Sequence, residues 1–188
     1  MRAFGKTVYR RVEWLELRLD AERPAIDARI PVEGVFLGEG CLEEIAAFRP
    51  DLGRAVVRGR FARGDRCFGS RHDGRLVSVT WISTRIARID YLGLAVRLPP
   101  RTAYDYDRWT APALRGLRIA PAAVSQLSLA LAAEGFEILT AVVLRENGAG
   151  LANVQRIGFR PVATIGWVGV GPLRRRFRRP AEPRGRQA

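Results

Sequence analysis

The segment Arg115-Gly116-Leu117-Arg118-Ile119-Ala120 joins a strand pattern to a long helical one, and the chain beyond it is its most regular part. Ile119 to Glu134 places Val124, Leu127 and Leu131 at the i, i+3, i+7 spacing of an amphipathic helix. Pro121 is tolerated in the first turn of that helix, and Gly135 ends it. Ile138 to Leu144 is an apolar run rich in β-branched residues, the pattern of a buried strand. Asn147 to Ile157 then reads as a short helix and Phe159 to Val170 as a last strand. Patterns of this order predict a mixed sheet with helices packed against it. The glycine-containing turn at 115–120 can aim free backbone N–H groups at a phosphate, helped by the positive end of the helix dipole.

The first half of the chain is less regular. Thr7 to Leu19 tends to alternation from Val12 on, which predicts a strand. Ile30 to Leu37 is a second short apolar stretch, weakened as a strand by Gly34. Cys41 to Phe48 predicts a short helix stopped by Pro50, and Asp51 is placed to cap a further helix through Ala62, closed by Gly64. Cys67–Arg71 and Leu76–Ser83 flank the turn His72-Asp73-Gly74-Arg75, where Gly74 can take positive φ. Leu92–Leu98 and Ala103–Thr110 flank Pro99-Pro100, which cannot continue a paired strand. No internal repeat is visible.

With 188 residues the chain is long enough for one domain with a sizeable core. Its formal net charge is +13, and Lys6 is its only lysine, so the charge is almost all arginine. Arginine suits bidentate capture of phosphate or carboxylate, and the balance admits nucleotide phosphates, nucleic acid, anionic lipid or an acidic carrier protein as partners. Cys41 and Cys67 are isolated, which predicts reduced, structural thiols in a cytoplasmic protein. Met1 to Asp20 has no signal-peptide core, and no run approaches the length of a membrane span. No metal-ligand spacing is present, so no metal is expected.

Turn, helix, buried strand, Asn147 and Gly158-Phe159 together resemble the cofactor-binding half of the GNAT superfamily of acyl-CoA-dependent N-acyltransferases. That family's turn reads Q/R-x-x-G-x-G/A; Arg115 and Ala120 match its ends, and Arg118 stands at the inner glycine. Its second pattern, N-x-x-A/S-x-x-x-(Y)-x-x-x-G-F, matches Asn147 and Gly158-Phe159, with Gly150 at the A/S position and Val154 at the frequent tyrosine. The resemblance implies an α/β fold with a mixed, mostly antiparallel central sheet flanked by helices over residues 1–172, and the basic segment 173–188 reads as a mobile tail. It implies acetyl-CoA or a longer acyl-CoA as acyl donor. Arg115, Gly116, Leu117, Arg118, Ile119 and Ala120 would hold the pyrophosphate. The Thr110 strand end would splay from its neighbour to pair with the pantetheine arm and the acyl carbonyl, and Asn147 would contact that arm. A helix cap is the alternative role for Asn147.

The attacking ammonium must lose a proton. Asp105 and Asp107 alternate with Tyr104 and Tyr106 on one strand, which predicts both carboxylates on one face, as a base or as salt-bridge partners of the abundant arginines. The tyrosine acid of the family is absent at Val154. Acyl transfer to an amine is therefore the expected activity, with an acidic acyl carrier protein as an alternative donor. The competing class is a GNAT-like module without catalysis that binds a protein partner or nucleic acid. Phe177 as the tail's sole aromatic argues against stacking on bases. The amine acceptor is not legible.

Overall fold

Ten strands and four α-helices make up the computed structural model, which describes residues 7–19, 25–170 and 173–181. In chain order these are β1 (Thr7–Arg18), β2 (Glu33–Leu37), α1 (Leu42–Phe48), α2 (Gly53–Ala62), β3 (Arg66–His72), β4 (Arg75–Ser83), β5 (Ile86–Ile89), β6 (Leu94–Arg97), β7 (Thr102–Thr110), α3 (Ile119–Ala133), β8 (Ile138–Leu144), α4 (Gly148–Ile157), β9 (Arg160–Val170) and β10 (Leu173–Pro180). Eight strands form one sheet in the order β10-β9-β1-β8-β7-β4-β3-β2, and β5 and β6 form a separate hairpin. Every neighbour in the large sheet is antiparallel except β7 with β8.

The alternation of β1 sorts its residues between two cores. Leu15, Leu17 and Leu19 face α3 and α4, where Val124, Leu127, Leu131, Val154, Ile157 and Phe159 are buried with them. Val12 and Trp14 face the other side, where the β5–β6 hairpin covers them with Ala87, Ile89 and Leu92. Beside that hairpin, α1 and α2 bury Ile45 and Val57 on Cys67, Val79 and Trp81. Burial of this kind stabilises by about 25 cal/mol per Å² of apolar surface, so the faces with continuous apolar stripes are the ones that dock. Burial also pushes the Cys67 thiol up to about 12, leaving it a packing group.

Three expectations are corrected. Gly34 does not weaken β2: a Cβ there would lie 2.5 Å from the Phe68 ring and from Gln126 Oε1, so its bareness lets those side chains cross the strand. Asp51 does not cap α2, whose N-cap is Leu52 with no side-chain bond; its carboxylate instead takes the Arg49 guanidinium. The expected mobile tail begins as a strand, because β10 pairs with β9 from Leu173↔Val170 to Pro180↔Ala163. Its arginines spread over aromatic faces, Arg174 lying 4.4 Å from the Trp167 ring and Arg179 lying 5.3 Å from that of Phe177. The rest of that segment, 182–188, lies outside the described residues.

Candidate active site

β7 and β8 pair only over Thr102–Asp105 and Ile138–Ala141. Beyond that point β7 follows β4, with Trp109 opposite Val79 and Thr110 opposite Ser78, while β8 follows β1, with Val142 opposite Trp14 and Leu144 opposite Val12. A wedge therefore opens in the sheet between 106–110 and 142–144. In it the β7 edge that faces β8 is free of ladder bonds to that strand, so its backbone groups are available to an extended ligand.

A cavity lies at the wedge on each face of the sheet. On the helix side, a cavity of about 550 Å³ runs between the start of α3 and the second half of α4. Thr110, Arg115, Gly116, Arg118, Ile119 and Ala120 all line it, as their positions in the sequence predict. Leu117 is not on its wall; its carbonyl accepts the Arg29 N–H at 2.8 Å, which ties the strand-preceding segment to the turn. The turn needs two left-handed residues, Gly116 at φ +86° and Arg118 at φ +60°. Arg118 is also the N-cap of α3, without a side-chain cap bond. Ile119 and Ala120 line the cavity and no side chain caps the helix, so their N–H groups are open to an anion, while Pro121 beside them has none to give.

Two residues that sequence reasoning missed also line this cavity, Arg29 ahead of β2 and Arg156 in the last turn of α4. No local pattern marks either, since their place depends on how two distant segments pack.

Asn147 is not on the cavity wall. It is exposed and caps α4, its Oδ1 accepting the Gly150 N–H at 2.9 Å. The helix face that does line the cavity carries Asn153, Arg156 and Ile157. The cap also accounts for Gly150, where a Cβ would lie 2.6 Å from Asn147 Nδ2. Asn147→Ala is expected to lower stability by about 1 kcal/mol in urea denaturation, leaving CoA affinity unchanged. Val154 is buried against the core, away from either cavity.

The opposite face holds a cavity of about 450 Å³, walled by Tyr104, Tyr106 and Asp107 of β7, Val142 and Leu144 of β8, and Arg49, Arg60 and Arg88. The two predicted carboxylates have different partners here. Trp81 pairs with Tyr106 and Val79 with Trp109, so β7 carries an extra residue between them, and Asp107 sits in this bulge at φ +50°. Asp105 is buried and bound by Thr80 Oγ1 and Arg108 Nη2. Asp107 receives Arg49 Nη2 at 3.2 Å and Arg60 Nη1 at 2.5 Å. The expectation of a shared carboxylate face gives way to two separate ion-paired sites, because the bulge breaks the strand's alternation. Asp51, then Asp107, hold the Arg49 guanidinium above its ordinary pKa. Burial raises the phenols of Tyr104 and Tyr106 above the usual tyrosine range, and Tyr106 donates its hydroxyl to Asp65 at 2.8 Å.

His72 closes β3, where its Nδ1 lies 2.7 Å from the Pro31 carbonyl, away from both cavities. Among the described residues no group of three His, Cys, Asp or Glu side chains converges as metal ligands would, and no helix is long and apolar enough to cross a membrane.

No family model matches the chain, and no curated protein matches it. Solved structures do match its fold. One is a protein of Novosphingobium aromaticivorans assigned to the GNAT family of acetyltransferases, at 23% identity and TM-score 0.56 over 84% of this chain and 64% of that one. Another is the glucosamine N-acetyltransferase region of a fungal multi-domain β-N-acetylglucosaminidase, at 15% identity and TM-score 0.61 over 85% of this chain and 21% of that one. A third is the aminoglycoside N-acetyltransferase AAC(6′)-Iy in complex with CoA, at 16% identity and TM-score 0.53 over 68% of this chain and 91% of that one. The chain thus spans less than two thirds of the first two. Its mixed sheet, mostly antiparallel and flanked by helices, is the fold of GNAT acetyltransferases.

Proposed function

We propose that this chain is a GNAT-superfamily N-acyltransferase that moves an acetyl or longer acyl group from acyl-CoA to an amine. The observation that carries this reading is the wedge between β7 and β8 with a cavity on each face. The arginine-lined cavity at the α3 turn suits the diphosphate of the donor. The unladdered edge of β7 suits its extended amide-containing arm, and the cavity on the other face suits the acceptor. The amine nitrogen attacks the thioester carbon, the carbonyl oxygen takes up negative charge, the carbon–sulfur bond breaks, and the proton lost by the nitrogen passes through solvent to the departing thiolate, giving amide and free thiol. Backbone N–H groups of the unladdered β7 edge would stabilise that oxyanion. With Asp105 and Asp107 both held by guanidinium groups, catalysis rests on positioning the two reactants in one complex.

The ion-paired carboxylates and the buried Val154 favour a second reading, a GNAT-like module that binds its ligand without turnover. Calorimetry with CoA and acetyl-CoA, followed by thiol release in the presence of a panel of amines, separates the two. Micromolar binding with amine-dependent thiol release is the expected result. Binding without release in any amine supports the second reading, and absence of binding removes the CoA-dependent one.

A further inference from the structure

The helix-side cavity holds more positive charge than a diphosphate needs. Arg29, Arg115, Arg118 and Arg156 line it, and no carboxylate does. Among the described residues, none of the four pairs with a carboxylate; Arg115 alone makes a side-chain hydrogen bond, its Nε donating to the Thr110 carbonyl at 3.4 Å. Elsewhere some guanidinium groups meet carboxylates directly: Arg66 takes Glu134 and Arg71 takes Glu44, each through two bonds. Four arginines left without acids in one concavity are matched to an anion from outside.

The four divide by position. Arg115 and Arg118 belong to the turn before α3. Arg29 comes from the segment ahead of β2, held against the turn by its own N–H to Leu117 and by the Ile26 N–H to Ser125 Oγ at 3.2 Å. Arg156 stands in the last turn of α4 and lines the same cavity. The pyrophosphate of CoA bears one negative charge on each phosphate, which the turn pair balances. A phosphate monoester adds roughly 1.5 to 2 further charges near neutral pH, and an arm borne on a carrier protein has a single phosphodiester in all.

Resting on the acyl-CoA reading above, we propose that Arg29 and Arg156 form a second phosphate site that takes the 3′-phosphate of CoA and sets the donor as free CoA thioester rather than carrier-bound arm. Charge-assisted bonds from two guanidinium groups to one phosphate are the strong kind, and their loss costs about tenfold or more in affinity.

The test is calorimetric titration of the full chain with CoA, with 3′-dephospho-CoA and with a phosphopantetheine-bearing acyl carrier protein, repeated with Arg29→Ala/Arg156→Ala. Both side chains are exposed, and the Arg29 contact to Leu117 is made by backbone, so the variant keeps its fold, checked by its melting temperature. The unmodified protein is expected to prefer CoA over the dephospho form about tenfold or more. The double variant is expected to lose that preference while binding the dephospho form as before. Equal affinities in the unmodified protein, a preference that survives in the variant, or tighter binding of the carrier than of CoA each overturn the assignment while leaving acyl transfer standing. Binding of none of the three overturns both.

Discussion

Asp107→Asn is expected to lower the stability of this fold by about 3 kcal/mol, read as a fall in the urea midpoint at unchanged slope. The argument starts from Arg60, whose side chain is 11% exposed and whose one carboxylate partner among the described residues is Asp107. Its guanidinium is otherwise packed at 5.0 Å from the Trp81 ring and 5.2 Å from the Tyr106 ring, faces that attract a cation without neutralising it. Arg49, 4% exposed, keeps Asp51 but already has a buried Nη1 without a partner among the described residues. Removing the charge of Asp107 therefore leaves one buried guanidinium unpaired and a second short of a bond. Asparagine tolerates the left-handed backbone that position 107 holds, so the substitution tests charge rather than strain. Adding Arg60→Met, which packs against Trp81 and Tyr106 without needing a counter-ion, is expected to recover much of the loss. A base at Asp107 predicts the opposite pattern: an unchanged midpoint and a slower reaction.

The bulge behind this prediction also marks where the sequence stopped being informative. Tyr104, Asp105, Tyr106 and Asp107 alternate perfectly, and alternation alone puts both carboxylates on one face. The extra residue in β7 is set by its pairing with β4, between Val79 and Trp81, which no local pattern records. Where the deciding forces are local, pattern and structure coincide: the bounds of β8 are those of its apolar run, and α3 begins at Ile119 and stops just short of Gly135. Asn147 is an instructive half-case, since its cap depends on neighbours three residues away while contact with a ligand arm depends on the far wall of the cavity. β10 is illegible in the sequence for the converse reason. Leu173-Arg-Arg-Arg-Phe-Arg-Arg-Pro180 cannot build a core of its own, but as an edge strand it needs only the ladder of β9 and the ring faces of Trp167, Phe177 and Tyr9. Arginines on an edge also discourage pairing with another chain. The small β5–β6 hairpin escaped because Ile86–Ile89 is too short to show a period. The likeness to the solved acetyltransferases fixes the fold that these elements share.

Arg118→Glu is expected to weaken CoA binding by about a hundredfold or more, the largest effect at the helix-side cavity. Arg118 occupies the place where a close backbone approach to a phosphate ordinarily calls for glycine, and it holds the left-handed conformation at φ +60° that glycine adopts without cost. An arginine there carries about 1–2 kcal/mol of backbone strain. Its side chain is exposed at the cavity wall beside Arg115, so the strain is set against a guanidinium delivered at the start of α3. Glutamate keeps the strain and reverses the charge, replacing an attraction to phosphate by a repulsion at the same point. Arg118→Gly separates the two effects. It removes the strain and is expected to raise stability by about 0.5–1 kcal/mol, the unfolded chain's extra freedom offsetting part of the gain. CoA binding should fall much less than with glutamate, since the backbone N–H groups of the turn remain. Calorimetry and thermal melting on the two variants read affinity and stability independently. Equal affinity for CoA in the glutamate variant and the unmodified protein would move the phosphate away from this turn. A glycine variant that melts lower would mean that the arginine side chain, rather than the backbone, holds the turn in shape.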